Sequence, residues 1–195
     1  MFKRLVLIIA WCIVWPLVFV YFSSSRRKKI NKDIENNMRY REACFTGLNA
    51  LVWLLFCDKS FRTLFYYRIG RKKSAFVKWI WKPEKTFCIS TDSIGGGCFC
   101  FHPTSTYLNA KRIGINFSCR QNTTIGNKSD SKPSERPIIG DNVKLGANVV
   151  IIGNIRVGDN VIVGAGAVVV KDVPSGRIVV GNPARELPDV GGVKD

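Results

Sequence analysis

Residues 137–174 read PIIGDNVKLGANVVIIGNIRVGDNVIVGAGAVVVKDVP, and this stretch decides the fold. From Ile139 onward an aliphatic residue recurs at every sixth position, and a second apolar residue follows four positions after each. The first set is Ile139, Leu145, Ile151, Val157, Val163 and Val169, and the second is Val143, Val149, Ile155, Val161, Ala167 and Val173. An α-helix has no six-residue period, and a simple strand alternates at every second residue. The pattern therefore predicts short strands joined by tight turns and stacked as a parallel β-helix.

The same rhythm continues upstream in three further aliphatic–glycine steps, Ile94-Gly95, Ile113-Gly114 and Ile125-Gly126. We expect one irregular step of seven residues between Thr106 and Ile113. A longer gap separates Ile125 from Ile139, and the residues within it are polar and rich in proline. This segment is predicted to loop out of the coil, and loops on a rigid scaffold often carry function.

The N-terminal part contains an uncharged apolar run, Leu5–Phe22. As a helix it would span roughly 27 Å, close to the ~30 Å hydrocarbon core of a bilayer. The larger positive cluster, residues 26–29, follows the run, so the positive-inside rule leaves the rest of the chain in the cytoplasm. We therefore expect a single-pass anchor in the cytoplasmic membrane, with lipid contacts through residues 5–22 and their basic flanks. A cleaved signal peptide is the alternative.

The charge distribution points to the same compartment. Of the net charge of +16, residues 1–85 carry +13, from 18 Lys/Arg against 5 Asp/Glu. Because this charge flanks an apolar segment, an anionic membrane surface is the expected partner, and nucleic acid is not. Residues 30–85 read as helical and mix aromatic with cationic residues, as in Phe61–Ile69 and Lys78–Lys82. Interfacial helices on a membrane and a cap packed on the main domain or another subunit fit this composition equally well.

The seven cysteines have no C-x-x-C spacing, and the chain has one histidine. Neither a metal site nor a disulfide framework is therefore expected. Cys98, Cys100 and Cys119 lie at or near coil corners, where they are expected to fill the core as reduced thiols rather than act as nucleophiles.

Residues 95–185 resemble the serine acetyltransferase branch of the hexapeptide-repeat acyltransferases, especially members associated with bacterial surface-polysaccharide synthesis. The motifs that carry the resemblance are Ile94–Pro103, Ala110–Gly114, Asn122–Gly126, Pro137–Asn142, Gly164–Pro174 and Val180–Arg185. The resemblance implies a left-handed β-helix that assembles as a homotrimer, with active sites between neighbouring coils and acetyl-CoA as the co-substrate.

His102 matches the position of the family's general base. An imidazole with a pKa near ~6.5 can accept a hydroxyl proton at neutral pH, and such catalysis typically contributes ~10²–10⁴ in rate. We expect direct transfer in a ternary complex, with a backbone group or Asp92 orienting the imidazole. By motif match, the residues expected to hold coenzyme A are Gly146, Ala147, Gly164, Ala165, Lys171, Gly181, Asn182 and Arg185, with Lys144 a further cation for its phosphates.

Two departures from the family bear on the acceptor. Phe101 and Phe87 stand where family enzymes that use free serine carry aspartates, and Arg136 stands at the second family histidine. An aromatic pocket suits a sugar face, so the expected acceptor is a sugar hydroxyl in surface polysaccharide synthesis. The alternatives are a serine O-acetyltransferase of cysteine biosynthesis and a non-catalytic β-helix scaffold.

The expected organisation has four parts. Residues 1–29 form the membrane anchor, 30–86 a helical segment, 87–185 the β-helix acetyltransferase domain and 186–195 a C-terminal tail.

Overall fold

The computed structural model describes residues 2–41 and 45–188, with helices in the first part of the chain and a β-solenoid in the second. Over these residues the helices are α1 (Phe2–Phe22), α2 (Arg27–Tyr40), α3 (Gly47–Cys57), α4 (Lys59–Ile69) and α5 (Arg71–Ala75). The predicted helical segment is thus present, although α2 begins within the expected anchor region. Cys44 and most of the expected tail lie outside the described residues.

Three faces of short parallel strands form the solenoid. The five-strand face contains β1 (Phe87–Ile89), β3 (Thr106–Leu108), β6 (Thr124–Gly126), β9 (Val150–Ile152) and β12 (Val168–Val169). The three-strand face contains β4 (Arg112–Ile113), β7 (Ile138–Ile139) and β10 (Arg156–Val157). The six-strand face contains β2 (Phe99–Cys100), β5 (Ser118–Cys119), β8 (Lys144–Leu145), β11 (Ile162–Val163), β13 (Ile178–Val180) and the antiparallel β14 (Arg185–Glu186).

The chain visits the three faces in turn and completes about five coils, which confirms the predicted parallel β-helix. The six residues of the leading set are 0–4% exposed, since each points into the solenoid. Of the second set, Ile155 packs on this core from a half-buried position and the other five are buried. Neighbouring strands stack in register, for example Val150 beside Val168, so aliphatic side chains form ladders along the axis.

The expected position of the irregular step is wrong. Leu108, rather than Thr106, lies in register with Ile125 and occupies the inward ladder. The step from Cys100 to Leu108 is therefore eight residues, and the next, to Ile113, is five. Thr106 fitted the six-residue spacing and is also buried, at 1% exposure. Its hydroxyl donates to the carbonyl oxygen of Thr104 at 3.2 Å, so burial of this polar side chain is compatible with the fold.

The helices cap the first coil through a buried ion pair. Arg68 of α4 donates from Nε and Nη2 to the Asp33 carboxylate of α2 at 2.8 and 3.0 Å. The same carboxylate accepts the backbone N–H groups of Gly97 and Cys98, at 2.8 and 2.9 Å. Arg68 also donates to the carbonyl oxygens of Ile94 and Gly95. The Phe61–Ile69 segment is therefore packed on the main domain, as expected if residues 30–85 form a cap on the solenoid.

The helix α1 is long and apolar enough to cross a membrane over Lys3–Phe22, a property that core helices and signal sequences share. One stripe of it is buried against the other helices, and α3 is its main partner. The opposite stripe is open, with Ile8 62% and Phe19 71% exposed.

Candidate active site

His102 lies at the corner where the chain passes from the six-strand face to the five-strand face. In the first coil this corner takes seven positions, from Cys100 to Tyr107, whereas five separate their partners Cys119 and Thr124 in the second. The same corner also takes five positions in the third and fourth coils, from Leu145 to Val150 and from Val163 to Val168. The corner is thus two residues longer in the first coil, and His102 adopts a left-handed backbone conformation there, with φ of 44°.

The His102 side chain is exposed to solvent. The backbone carbonyl of His102 accepts the N–H of Thr104 at 2.6 Å, which closes the tight turn. Within the part of the chain that the structure describes, the imidazole itself makes no hydrogen bond, and its ring neighbour is Phe101, with ring centroids 5.7 Å apart. Asp92, one of the two groups expected to orient the imidazole, is bound to Arg136 at another corner of the same chain.

Beside this corner an open groove of about 340 Å³ runs along the six-strand face. Its aromatic wall is formed by Phe101, Phe99 and Tyr40, with Tyr40 stacked on Phe99 at 4.6 Å and 7°. The guanidinium of Arg120 lies 5.0 Å from the centre of the Phe101 ring. Sequence reasoning missed Tyr40, since the end of α2 reaches the groove only through the tertiary fold. The other two aromatic residues of the wall could be found from the sequence, because Phe99 and Phe101 are two positions apart, a spacing that places both on the same side of a strand.

Most of the residues expected to hold coenzyme A share the corner of His102. Gly146–Ala147, Gly164–Ala165 and Gly181–Asn182 follow the six-strand face in the third, fourth and fifth coils. Backbone bonds connect them along the axis, for example from Gly166 N to the Ala147 oxygen at 2.8 Å. At ~4.8 Å per coil this column extends roughly 10–19 Å from His102, a length suited to an extended ligand.

The glycines of this column also have structural roles. A Cβ on Gly146 would lie 2.6 Å from the backbone nitrogen of Ala165, and one on Gly164 would lie 2.7 Å from the Val180 side chain. The N–H groups of Gly146 and Gly164 donate to the carbonyl oxygens of the next coil, at 2.8 Å each. These two N–H groups serve the solenoid, so a ligand contact at these positions has to use other atoms.

Lys171 follows β12 and lies apart from the column, whereas Arg185 pairs with Val180, directly before Gly181. Both line a cavity of about 310 Å³ at the fifth coil, together with Asp172 and Glu186. The structure therefore places this cationic pair at the fifth coil, where the column ends at Gly181 and Asn182.

The segment predicted to loop out of the coil, residues 127–137, is called the extruded loop. It lies at a different corner, between the five-strand and three-strand faces. Its Arg136 donates from Nη1 and Nη2 to the Asp92 carboxylate, at 3.0 and 2.6 Å, and Nη1 also lies 3.3 Å from the Asn109 oxygen. Because the five-strand face separates this corner from that of His102, Asp92 and Arg136 do not meet His102 within one chain.

The inward thiols have no catalytic geometry. Cys98, Cys100 and Cys119 are buried, with sulfur–sulfur distances of 3.3 Å between Cys100 and Cys119 and 4.0 Å between Cys98 and Cys100. Hydrogen bonds between neighbouring thiols, together with burial, raise the pKa of Cys98 and Cys100 well above the usual range. Protonated, inward-facing thiols fill the core, as the sequence indicated. Among the described residues no cluster of three His, Cys, Asp or Glu side chains could hold a metal ion.

Comparison with known proteins places the chain in a family. Residues 136–171 match the model of the bacterial transferase hexapeptide (six repeats). The probable serine acetyltransferase 2 of Oryza sativa subsp. japonica is 35% identical over 170 residues, which are 80% of this chain and 48% of that protein. The first curated relatives matched are all covered over less than half of their length.

Solved structures agree in fold and extend the match. Serine acetyltransferase from Neisseria gonorrhoeae in complex with serine is 30% identical, with a TM-score of 0.63 over 82% of this chain and 68% of that one. Serine acetyltransferase from Brucella abortus in complex with coenzyme A is 26% identical, with a TM-score of 0.59 over 85% and 68%. The five-coil solenoid matches the left-handed β-helix that the sequence resemblance implied. The chain therefore belongs to the hexapeptide-repeat transferases, with serine acetyltransferases among its homologues.

Proposed function

We propose that the protein is an acetyl-CoA-dependent O-acetyltransferase in which His102 is the general base. The observation that carries this proposal is the His102 corner itself. The single histidine of the chain stands on a lengthened corner, exposed and free of internal hydrogen bonds among the described residues, beside an open groove. A purely structural corner needs neither the two additional residues nor a titratable side chain.

Acetyl-CoA is the proposed donor, and two features of the groove suit it. The groove runs from the aromatic wall past Gly146 and Gly164, so a long ligand can lie along successive coils towards His102. Arg120 and Lys144 line it and supply positive charge for phosphate groups. The coenzyme A complex of the Brucella abortus relative supports the assignment. The far cationic pair, Lys171 and Arg185, is a second candidate for phosphate contact.

The proposed reaction is a direct transfer. The His102 imidazole accepts the proton of the acceptor hydroxyl as its oxygen attacks the thioester carbonyl, the carbon–sulfur bond breaks, and the acetyl ester forms. The thiolate of coenzyme A then takes up a proton, which the imidazolium of His102 can return. General base catalysis of this kind typically supplies ~10²–10⁴ in rate.

The comparisons favour free serine as the acceptor over the sugar hydroxyl, since the named relatives are serine acetyltransferases. One observation keeps the sugar hydroxyl as a second candidate. Phe87 is buried in the solenoid core, and Phe101 with Arg120 forms the neighbourhood of His102, so the positions that carry family aspartates offer no carboxylate to a serine ammonium group. Stacking on Phe101 would instead suit a sugar ring.

A homotrimer is the proposed assembly, and the outer surface of the five-strand face supports it. Apart from Thr124, the outward-facing residues of β3, β6, β9 and β12 are apolar or aromatic, with Tyr107 42% exposed and Val150 and Val168 half-buried; the neighbouring Val170 is 48% exposed. By contrast, the outer row of the three-strand face is Arg112, Ile138 and Arg156. Packing of five-strand faces would bring the extruded loop of one copy towards the His102 corner of the next.

Membrane attachment through α1, with the solenoid in the cytoplasm, completes the proposal. The open apolar stripe of α1 and the cationic residues 26–29 after it support this placement. The four-part organisation expected from the sequence remains part of the proposal, with α2 beginning at Arg27 inside the first part.

The experiment measures coenzyme A thiol release from acetyl-CoA by the purified full chain, with free serine and a panel of sugars as acceptors. His102→Asn is the informative variant, because asparagine tolerates a left-handed backbone and should preserve the corner. We expect acceptor-dependent release by the wild type and a loss of ~10²–10⁴ in the variant at unchanged thermal stability. If no acceptor raises release above background in either protein, the scaffold alternative is favoured. Acceptor-dependent release that is equal in the two proteins would exclude His102 as the base. The acceptor that raises release decides between serine and sugar.

A further inference from the structure

The segment after α5 exposes three large apolar side chains within five residues. Phe76 is 80%, Trp79 73% and Ile80 50% exposed. Large apolar groups clustered in this way on a surface usually mark a contact with a protein or a membrane. The solenoid and the acetyl transfer proposed above make no use of them.

The segment is fixed to the helical part of the molecule at two points. Val77, between Phe76 and Trp79, is buried in the helical core, and Trp81, directly after Ile80, packs against that core. The backbone oxygen of Trp81 accepts the hydroxyl of Tyr66 at 2.6 Å. Because the backbone is held on this side, Phe76, Trp79 and Ile80 project outward from a fixed base.

The segment lies beside the C-terminal end of α1. The ammonium group of Lys73 donates to the backbone oxygen of Ser23 and to its hydroxyl, the latter at 3.0 Å. Phe22, the last residue of α1, is itself 51% exposed. The apolar cluster is thus next to the end of α1, whose open stripe is apolar from Leu5 onward.

Cationic side chains surround the cluster. Lys72, Lys78 and Lys82 are exposed around it, and Arg26, Arg27 and Lys28 follow α1 at the neighbouring end. Aromatic groups flanked by lysines are typical of the headgroup region, where the rings enter the interface and the ammonium groups contact lipid phosphates. A second copy of the chain would bring the same positive charges together, so its approach at this surface is unfavourable.

We propose that residues 71–82 form a second lipid contact, in which Phe76, Trp79 and Ile80 enter the interface of an anionic membrane beside the end of α1. The contact would fix the orientation of the solenoid, because β1 begins at Phe87, shortly after the segment. The first coil, which carries His102, would be held nearest to the lipid. This inference does not depend on the proposed acetyl transfer.

The test uses the full chain reconstituted in phosphatidylcholine vesicles with and without phosphatidylglycerol, and measures tryptophan quenching by brominated lipids. Trp11, Trp15 and Trp53 are present in every sample, so the contribution of Trp79 is the difference between wild type and Trp79→Phe. Trp81→Phe is the matched control, since Trp81 packs against the helical core. We expect Trp79→Phe to remove a lipid-quenchable component, larger in the anionic vesicles, and Trp81→Phe to remove much less.

Two further variants test the parts of the contact separately. The double variant Phe76→Ser/Ile80→Ser should lose most of the Trp79-dependent quenching, and Lys72→Gln/Lys78→Gln should lose its dependence on phosphatidylglycerol. All four side chains lie at the surface or its edge, so the fold should be retained. An unchanged lipid-quenchable component in Trp79→Phe would overturn the proposal. So would a Trp79 that is shielded from aqueous acrylamide but not quenched by lipid, because a second copy would then cover it. Failure of acetyl transfer would alter none of these readouts.

Discussion

At the scale of single residues, the corner glycines show how closely the coils approach one another. A Cβ on Gly146 would lie 2.6 Å from the nitrogen and 2.8 Å from the Cα of Ala165, and both are backbone atoms that cannot turn away. At Gly126, by contrast, an added Cβ would meet nothing within 4 Å. Packing therefore requires glycine at position 146, whereas position 126 has room for a larger side chain.

We predict that Gly146→Ala destabilises the solenoid by about 1–3 kcal/mol, the usual cost of overpacking a filled site. Gly126→Ala is the matched control and should unfold close to the wild type. Thermal unfolding of both variants, followed by circular dichroism in detergent, gives the comparison. Equal midpoints for the two variants would show that the coils adjust to the added methyl group.

Residue identity alone did not predict the environment of His102. Its motif marked it as the candidate base, but the left-handed φ of 44° and the two additional corner residues follow from which residue enters the core ladder. Thr106 and Leu108 are both buried, so the sequence offered two acceptable registers. Leu108 is the inward residue because it pairs with Ile125 of the next coil. This contact joins residues 17 positions apart, so the local sequence pattern does not reveal it.

At the scale of elements, α2 and α4 are attached to the first coil by polar contacts at the helix–solenoid boundary. Asp33 and Arg68 have side chains that are each 1% exposed, and they bind one another and four backbone groups of residues 94–98. The six-residue period predicted the solenoid, whereas nothing periodic marked this junction. An isolated aspartate and an isolated arginine on separate helices give no local signal of a shared buried site.

We predict that Asp33→Ala destabilises the protein by about 3–5 kcal/mol, because the Arg68 guanidinium would remain buried without its carboxylate. Glu35→Ala, on the same helix, removes only an exposed partner of Lys32 at 3.6 Å and should change stability by less than about 1 kcal/mol. Chemical denaturation of the two variants measures the difference. A small effect of Asp33→Ala would mean that water or another group replaces the carboxylate.

At the scale of the whole molecule, the solenoid has two unlike ends. The helices and their basic residues cap the first coil, and the β13–β14 hairpin closes the last. His102 is therefore near the helical end, while Lys171 and Arg185 are near the hairpin. The sequence predicted this order along the axis, since one coil follows another in the chain. It did not predict which outer face is apolar, because the outward row of Tyr107, Val150 and Val168 is set by strand pairing between coils.

The assembly provides the last prediction. Tyr107, Thr124, Val150 and Val168 form one outward row on the five-strand face, so a lysine at Tyr107 would bury a charge if copies pack through this face. We predict that Tyr107→Lys lowers the mass measured by light scattering from three chains to one. Arg112→Glu changes charge on the three-strand face and should remain trimeric. Acetyl transfer should fall with the mass in Tyr107→Lys, because the extruded loop of a neighbouring copy would no longer reach the His102 corner. A monomer with full activity would instead show that one chain holds the complete site, and a trimeric Tyr107→Lys would place the interface on another face.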